Sequence, residues 1–334
     1  MAHNVETMFT VGKKPWHGLG HVLTEAPKID EAIIYAGLDW RVEKHPMGVY
    51  KVESNEAGEP VGIVTHDFSK TATHGLIRSD NSQYLAKCSP SYEPVQNESA
   101  FKWFQPFLDE GHCELESAGS LRKGELVWVL AKIKDGTREV VAGDPVESYI
   151  LLSNSHKPGR SLCAGFTPIR VVCNNTLNMA INDDDERSQK TLARLVHNRH
   201  IHQNLDDIQQ AINVANRSFE FTIEQYQTLA RRGVGSLDEL RMFIREAFVG
   251  EVNAKAIKDV DSLREQKIIN LFEAGRGSDI KGVQGTYWGA YNAVTEYLTY
   301  ESKGGQEKRI ESLWFSTNKG VAKRALQFAL KRAA

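Results

Sequence analysis

Basic residues in three segments have the type and spacing to neutralise phosphates. Arg122 and Lys123 stand together in "SLRKGEL", with Lys132 and Lys134 ten residues further along the same stretch. His156, Lys157 and Arg160 fall in the Gly/Pro segment "SHKPGRS", and Arg170 follows in "TPIRVV". Near the end, Lys319, Lys323 and Lys331 recur at multiples of four with Arg324 and Arg332 beside them, which is one face of a helix. Such groups bind a polyanion by releasing its counterions, and a single strand adds stacking on an aromatic such as Trp128. The candidate nucleic-acid-binding set is therefore Arg122, Lys123, Trp128, Lys132, Lys157, Arg160 and Arg170.

Other constellations are weaker. His197, His200 and His202 in "HNRHIH" do not share a helical face and have no nearby carboxylate, so they read as a polar surface rather than a metal site. Asp183-Asp184-Asp185-Glu186 reads as a solvated run favouring the start of the next helix, in preference to a Mg²⁺ site. His17 and His21 flank a Gly-rich turn beside Trp16. No phosphate loop, dinucleotide fingerprint, HExxH or GxSxG elbow occurs, so no metal and no nucleotide cofactor is expected. An enzymatic alternative, acting on nucleotides or nucleic acid, would draw on His17, Glu93, Gln96, Asn97, Arg170, Asn174 and Asn175. A third reading makes the helical half a docking module for a host protein.

These residues must be placed by two kinds of texture. Up to about residue 186 the chain is strand-like, with short runs at Trp40–Glu43, Val49–Val52, Val61–Thr65 and Tyr84–Lys87. The clearest element is the hairpin "HCELESAGSLRKGELVWVLAKI", turning at Arg122-Lys123-Gly124, with Val127, Val129 and Ala131 alternating against Trp128, Leu130 and Lys132. Further strands are expected at Arg138–Ala142, Ser148–Leu152 and Ser161–Cys173, the last bulged or at an edge because Pro168 lacks a donor. Short helices should follow Asp30 and Asn97, and Asn174 or Asn175 should cap another. Beyond residue 186, apolar residues from Leu205 to Leu229 step by three and four, and helices are expected near 237–248, 261–274, 285–301 and 317–332. The fold class is α+β: a β-rich unit over 1–186 with a hairpin-bearing antiparallel sheet, then a helical unit over 187–334.

The 334 residues carry a net charge of only -2, so the chain as a whole is not basic. The charge is uneven: from Arg187 onward 23 Lys and Arg stand against 17 Asp and Glu, and before it 18 against 26. Cys88, Cys113, Cys163 and Cys173 form no CxxC pair and read as small buried hydrophobes. No apolar run approaches the roughly 18–20 residues that span a bilayer, and Met1–Lys14 lacks a secretory pattern; a cytoplasmic, non-membrane protein is expected.

Several long strings resemble signatures of the phage/plasmid-like family that carries the domain of unknown function numbered 932. They are "MFTVGKKPWHGLG" with "AGLDW", "YEPVQNESAF", "ESAGSLRKGELVWVLAKI", "GFTPIRVVCNNTLNMA", "GTYWGAYNAVTEYL" and "ESLWFSTNKGVAKRAL". The resemblance implies an α+β domain encoded on phages, plasmids or related islands, and no particular activity. A hairpin-bearing sheet plus helices is also similar in outline to the single-strand annealing recombinases, which form rings or filaments; that likeness assigns no residue. Single-strand DNA binding or annealing in recombination or replication, by a homo-oligomer, is the leading functional expectation.

Overall fold

A computed structural model of the chain describes residues 5–12, 20–67, 73–158, 162–172, 175–176, 193–195, 211–250, 262–305, 308–309, 312–313 and 317–334. In chain order the first elements are β1 (Val5–Val11), β2 (His21–Leu23), α1 (Ile29–Tyr35), β3 (Val42–Pro46), β4 (Gly48–Ser54), β5 (Pro60–Asp67), β6 (His74–Arg78) and β7 (Tyr84–Cys88). Two short helices, α2 (Asn97–Lys102) and α3 (Gln105–Asp109), lead to β8 (Cys113–Leu121), β9 (Leu126–Glu139), β10 (Pro145–Ser155), β11 (Leu162–Arg170), β12 (Asn175–Thr176) and β13 (Ala193–Leu195). The rest is helical: α4 (Ala211–Arg231), α5 (Leu237–Val249), α6 (Ser262–Ala274), α7 (Tyr287–Glu296), which runs into a π-helical turn over Tyr297–Glu301, and α8 (Thr317–Ala333). The fold is α+β, β-rich first and helical after.

Among the described residues the largest sheet has the order β12-β11-β10-β9-β8-β1-β2, with β13 also pairing with β11. β1 lies antiparallel to β8 (Phe9 opposite Ala118) and parallel to β2. The hairpin expected at Arg122-Lys123-Gly124 joins β8 to β9. Pro168 sits between the two stretches where β11 pairs on its outer side, 162–164 with β13 and 169–170 with β12, so its missing donor breaks no described pairing there. The helix expected from Asn174 or Asn175 is corrected at its start: Asn175–Thr176 pairs antiparallel with Ile169–Arg170 instead.

The chain forms two compact units that interleave in sequence. One comprises Met1–Leu130, Leu152–Ala164 and Ala193–Gln209; the other comprises Ala131–Leu151, Gly165–Leu192 and Gln210–Ala334. In the first unit the core gathers Phe9, Leu38, Val95, Phe101 and Phe104 with Val127 and Val129. α1 ends at Gly37, whose φ of 62° and close approach to Thr7 leave no room for a side chain. Gly119 has another reason to be glycine: a Cβ there would lie 2.5 Å from Thr7 O and 2.6 Å from the Trp128 ring.

The second unit is organised around α7, every residue of which is buried. Thr286 caps it by accepting from Gly289 N at 3.2 Å, and the Trp288 and Tyr291 rings pack with Tyr226 of α4 at centroid distances of 4.6–6.0 Å. α8 buries Val321, Ala322, Ala325 and Ala329. Two of its basic residues, the arginines beside the lysine repeat, are tied to α5. Arg324 donates to the carbonyls of Ala247 and Phe248 at the end of α5, and Arg332 pairs with Glu246. Among the described residues no helix is long and apolar enough to cross a membrane, and no group of three or more His, Cys, Asp or Glu is placed to hold a metal ion.

Candidate functional site

The β8–β9 turn combines charge with an unusual backbone. Arg122 and Lys123 have φ of 54° and 59°, in the left-handed region, and Gly124 follows at 93°. Side chains with a Cβ are disfavoured there, by about 1–3 kcal/mol each, and a tight hairpin turn ordinarily takes Asn-Gly. The surrounding structure holds this one from several directions. Glu125 N donates to Arg122 O at 3.2 Å, Arg78 Nη1 donates to Lys123 O at 3.3 Å, and Gly124 sits so close to Trp40 that a Cβ would be 2.8 Å from the ring. His156 N donates to Glu125 O at 2.9 Å, which brings the end of β10, and with it Lys157, alongside the turn.

Arg78, the last residue of β6, is the centre of that brace. Its guanidinium is buried 4.3 Å from the Trp40 ring centroid, meets Glu6 Oε2 at 2.5 Å, and binds both oxygens of Asp80 at 2.9 and 2.7 Å. Burial alone would lower its pKa, but the hydrogen bonds to Asp80 and Glu6 raise it further still. Burial raises the Asp80 carboxyl, and the Arg78 hydrogen bond and charge overcome this to hold it below its ordinary value.

Behind Trp40 the polar groups are consumed by structure. Asn97 Nδ2 donates to the carbonyls of Leu38 and Trp40, so its Oδ1 is the acceptor facing His156 Nε2 at 3.0 Å, which assigns that nitrogen the proton. Gln96 closes a two-way pair with the Val42 backbone, donating to O at 3.0 Å and accepting from N at 2.9 Å. Two of the residues available to an enzymatic alternative therefore tie α2 to the 38–42 segment. Glu93 is half-buried with Lys44 Nζ 3.8 Å away; Asn175 lies in β12; His17 and Asn174 are outside the described residues.

The candidate strand-binding residues separate into distinct groups. Lys123 and Lys157 are exposed, and among the described residues no carboxylate is paired with either ammonium; Arg122 is half-buried beside them. Trp128 is only 4% exposed, packed over Gly119, and this corrects its assignment as a stacking platform. Lys132, in the second unit, is half-buried and meets Glu147 Oε1 at 2.5 Å, while Glu147 also accepts from Tyr149. Arg160, together with the His197–His202 segment and the acidic run 183–186, lies outside the described residues.

Arg170 is the largest correction. It is fully buried in the second unit, where Nε meets Asp144 Oδ1 at 2.6 Å and Nη1 and Nη2 donate to the carbonyls of Arg276 and Gly277. Asp144 takes its second bond from Trp288 Nε1 at 2.7 Å. Nothing local to "TPIRVV" signals a partner 26 residues earlier in the chain. Next to this pair, Arg276 binds Glu296, and burial raises the Glu296 carboxyl more than Arg276 and Arg170 lower it.

A raised carboxylate makes a definite contribution to pH dependence. Protonated Glu296 is favoured in the folded state, so its contribution is complete below the unfolded Glu value of about 4.3 and is lost as pH rises through the folded one. The stability difference between the wild type and Glu296→Gln should therefore shift against the wild type as pH climbs from about 4 towards neutrality. Urea midpoints measured across that range check this; a pH-independent difference would contradict it.

Residues 84–325 match the family described as a domain of unknown function, DUF932. The chain belongs to that family. No curated protein and no solved structure matches it. The DUF932 match begins at the first residue of β7 and takes in the basic turn, Lys157 and the Asp144–Arg170 pair. Trp40, Arg78, Glu6 and Asp80, which brace the turn, precede the stretch that matches DUF932.

Proposed function

We propose that this chain binds single-stranded nucleic acid through the cationic turn of its first unit, without a nucleotide cofactor. The observation that carries the reading is the strain. A turn that carries Arg and Lys at left-handed positions where Asn and Gly are better tolerated, and is braced by the buried Arg78, supports a use for those two side chains. Lys157, hydrogen-bonded into the same neighbourhood through His156 N, adds a third cation. Lys123 and Lys157, both exposed and with no carboxylate paired to either ammonium among the described residues, suit a phosphate backbone, whose recognition needs charge and counterion release rather than chemistry.

Two or three phosphate contacts bind weakly at physiological salt. Several copies on one strand would raise affinity through effective concentration, so the reading includes a homo-oligomer. It also places the protein in the cytoplasm, in recombination or replication of a phage or plasmid and, at its fullest, in annealing; of this, the family resemblance implies only the phage or plasmid origin.

The test is a salt titration of the full chain with a labelled oligodeoxythymidine, followed by fluorescence anisotropy. At about 0.7 per contact, log K against log salt should fall with a slope of about -1.4 to -2.1. Undetectable binding at the lowest salt, or an affinity indifferent to salt, would defeat the proposal.

A further inference from the structure

We infer that Arg78 is a positioning residue for strand binding, acting through the Lys123 backbone and never touching the ligand; this rests on the strand-binding reading above. Arg78 is 4% exposed, and its hydrogen-bonding nitrogens are directed at Asp80, Glu6 and Lys123 O, so no face of the guanidinium is offered to a phosphate. Its ring contact is Trp40, the same indole that packs against Gly124. One buried cation thus joins β1 through Glu6, the turn after β6 through Asp80, and the carbonyl of the strained residue that carries an exposed ammonium. The two carboxylates hold the guanidinium, and the guanidinium holds the turn.

This chain of contacts makes a prediction whose sign differs from that of simple electrostatics. Asp80→Asn removes a negative charge near a polyanion site, which alone should tighten binding. If Arg78 positions the turn, loosening its grip weakens binding instead, by about 3–10-fold for Asp80→Asn and more for Asp80→Asn with Glu6→Gln. Asp80→Glu, which keeps the carboxylate, should recover part of the loss. Both carboxylates are partly exposed, so these changes are milder than removing Arg78 itself; should the double variant fail to fold, Asp80→Asn alone carries the same sign.

The experiment measures oligodeoxythymidine binding by the full chain carrying Asp80→Asn, Lys123→Gln, or both, with circular dichroism confirming the fold. The inference expects Asp80→Asn to weaken binding in the wild-type background and to cost clearly less once Lys123 is glutamine. Equal or tighter binding by Asp80→Asn, or the same loss in both backgrounds, overturns it. Binding unchanged by Lys123→Gln alone overturns the strand-binding reading itself, and the inference with it.

Discussion

Arg170→Met is expected to destabilise the protein by about 3–5 kcal/mol, the usual consequence of removing one partner of a buried ion pair. Asp144 would keep its bond from Trp288 Nε1 but would hold a buried negative charge with no counterion, and the carbonyls of Arg276 and Gly277 would lose their donors. Adding Asp144→Asn should recover a large part of the loss. An asparagine oxygen still accepts from the indole, and the uncompensated charge is gone. Urea unfolding of the three variants measures this. At a temperature where Arg170→Met remains folded, its affinity for a strand should equal that of the wild type, because a fully buried guanidinium contacts no phosphate. A loss of less than about 1 kcal/mol, within the range of exposed pairs, would contradict the buried network.

The second large effect combines two opposite changes in one variant. Arg122→Asn with Lys123→Gly installs Asn-Gly at two consecutive left-handed positions. Removing the Cβ at Lys123 and placing the most tolerant side chain at Arg122 should raise stability by roughly 1–2 kcal/mol. The same change deletes two of three proposed phosphate contacts and should weaken strand binding by an order of magnitude or more at low salt. Gain of stability with loss of binding is the signature of strain kept for function. A variant that is less stable than the wild type would mean that the side chains, and not the backbone they burden, are what the turn needs for folding.

Much of the architecture was legible because it follows from local chemistry. The β8–β9 hairpin announces itself by two strand runs around Arg122-Lys123-Gly124, and α5 to α8 fall close to the helices expected near 237–248, 261–274, 285–301 and 317–332. Trp128 was misread for a specific reason. Alternation along 127–132 suggested one face for the core and one for solvent, yet Val127 to Ala131 are all buried and only Lys132 is half-buried, as in a strand covered on both sides. β1 was missed because "VETMFTV" interrupts its apolar residues with Glu6, the residue that reaches Arg78. The brace itself had a faint signal in the "IRSD" spacing of Arg78 and Asp80, but contacts from Arg78 to Glu6 and Lys123 span 72 and 45 residues and leave no periodic trace. α8 illustrates the same limit: Lys319, Lys323 and Lys331 carry the repeat, while the destinations of Arg324 and Arg332 beside them, the end of α5 and Glu246, are tertiary facts.

The most direct measurement is a side-by-side anisotropy titration of the wild type and Arg122→Asn/Lys123→Gly with a fluorescent oligodeoxythymidine at low ionic strength. Saturable binding by the wild type that largely disappears in the variant is the expected result. Indistinguishable curves, or no association by either protein, would leave the basic turn without the role assigned to it.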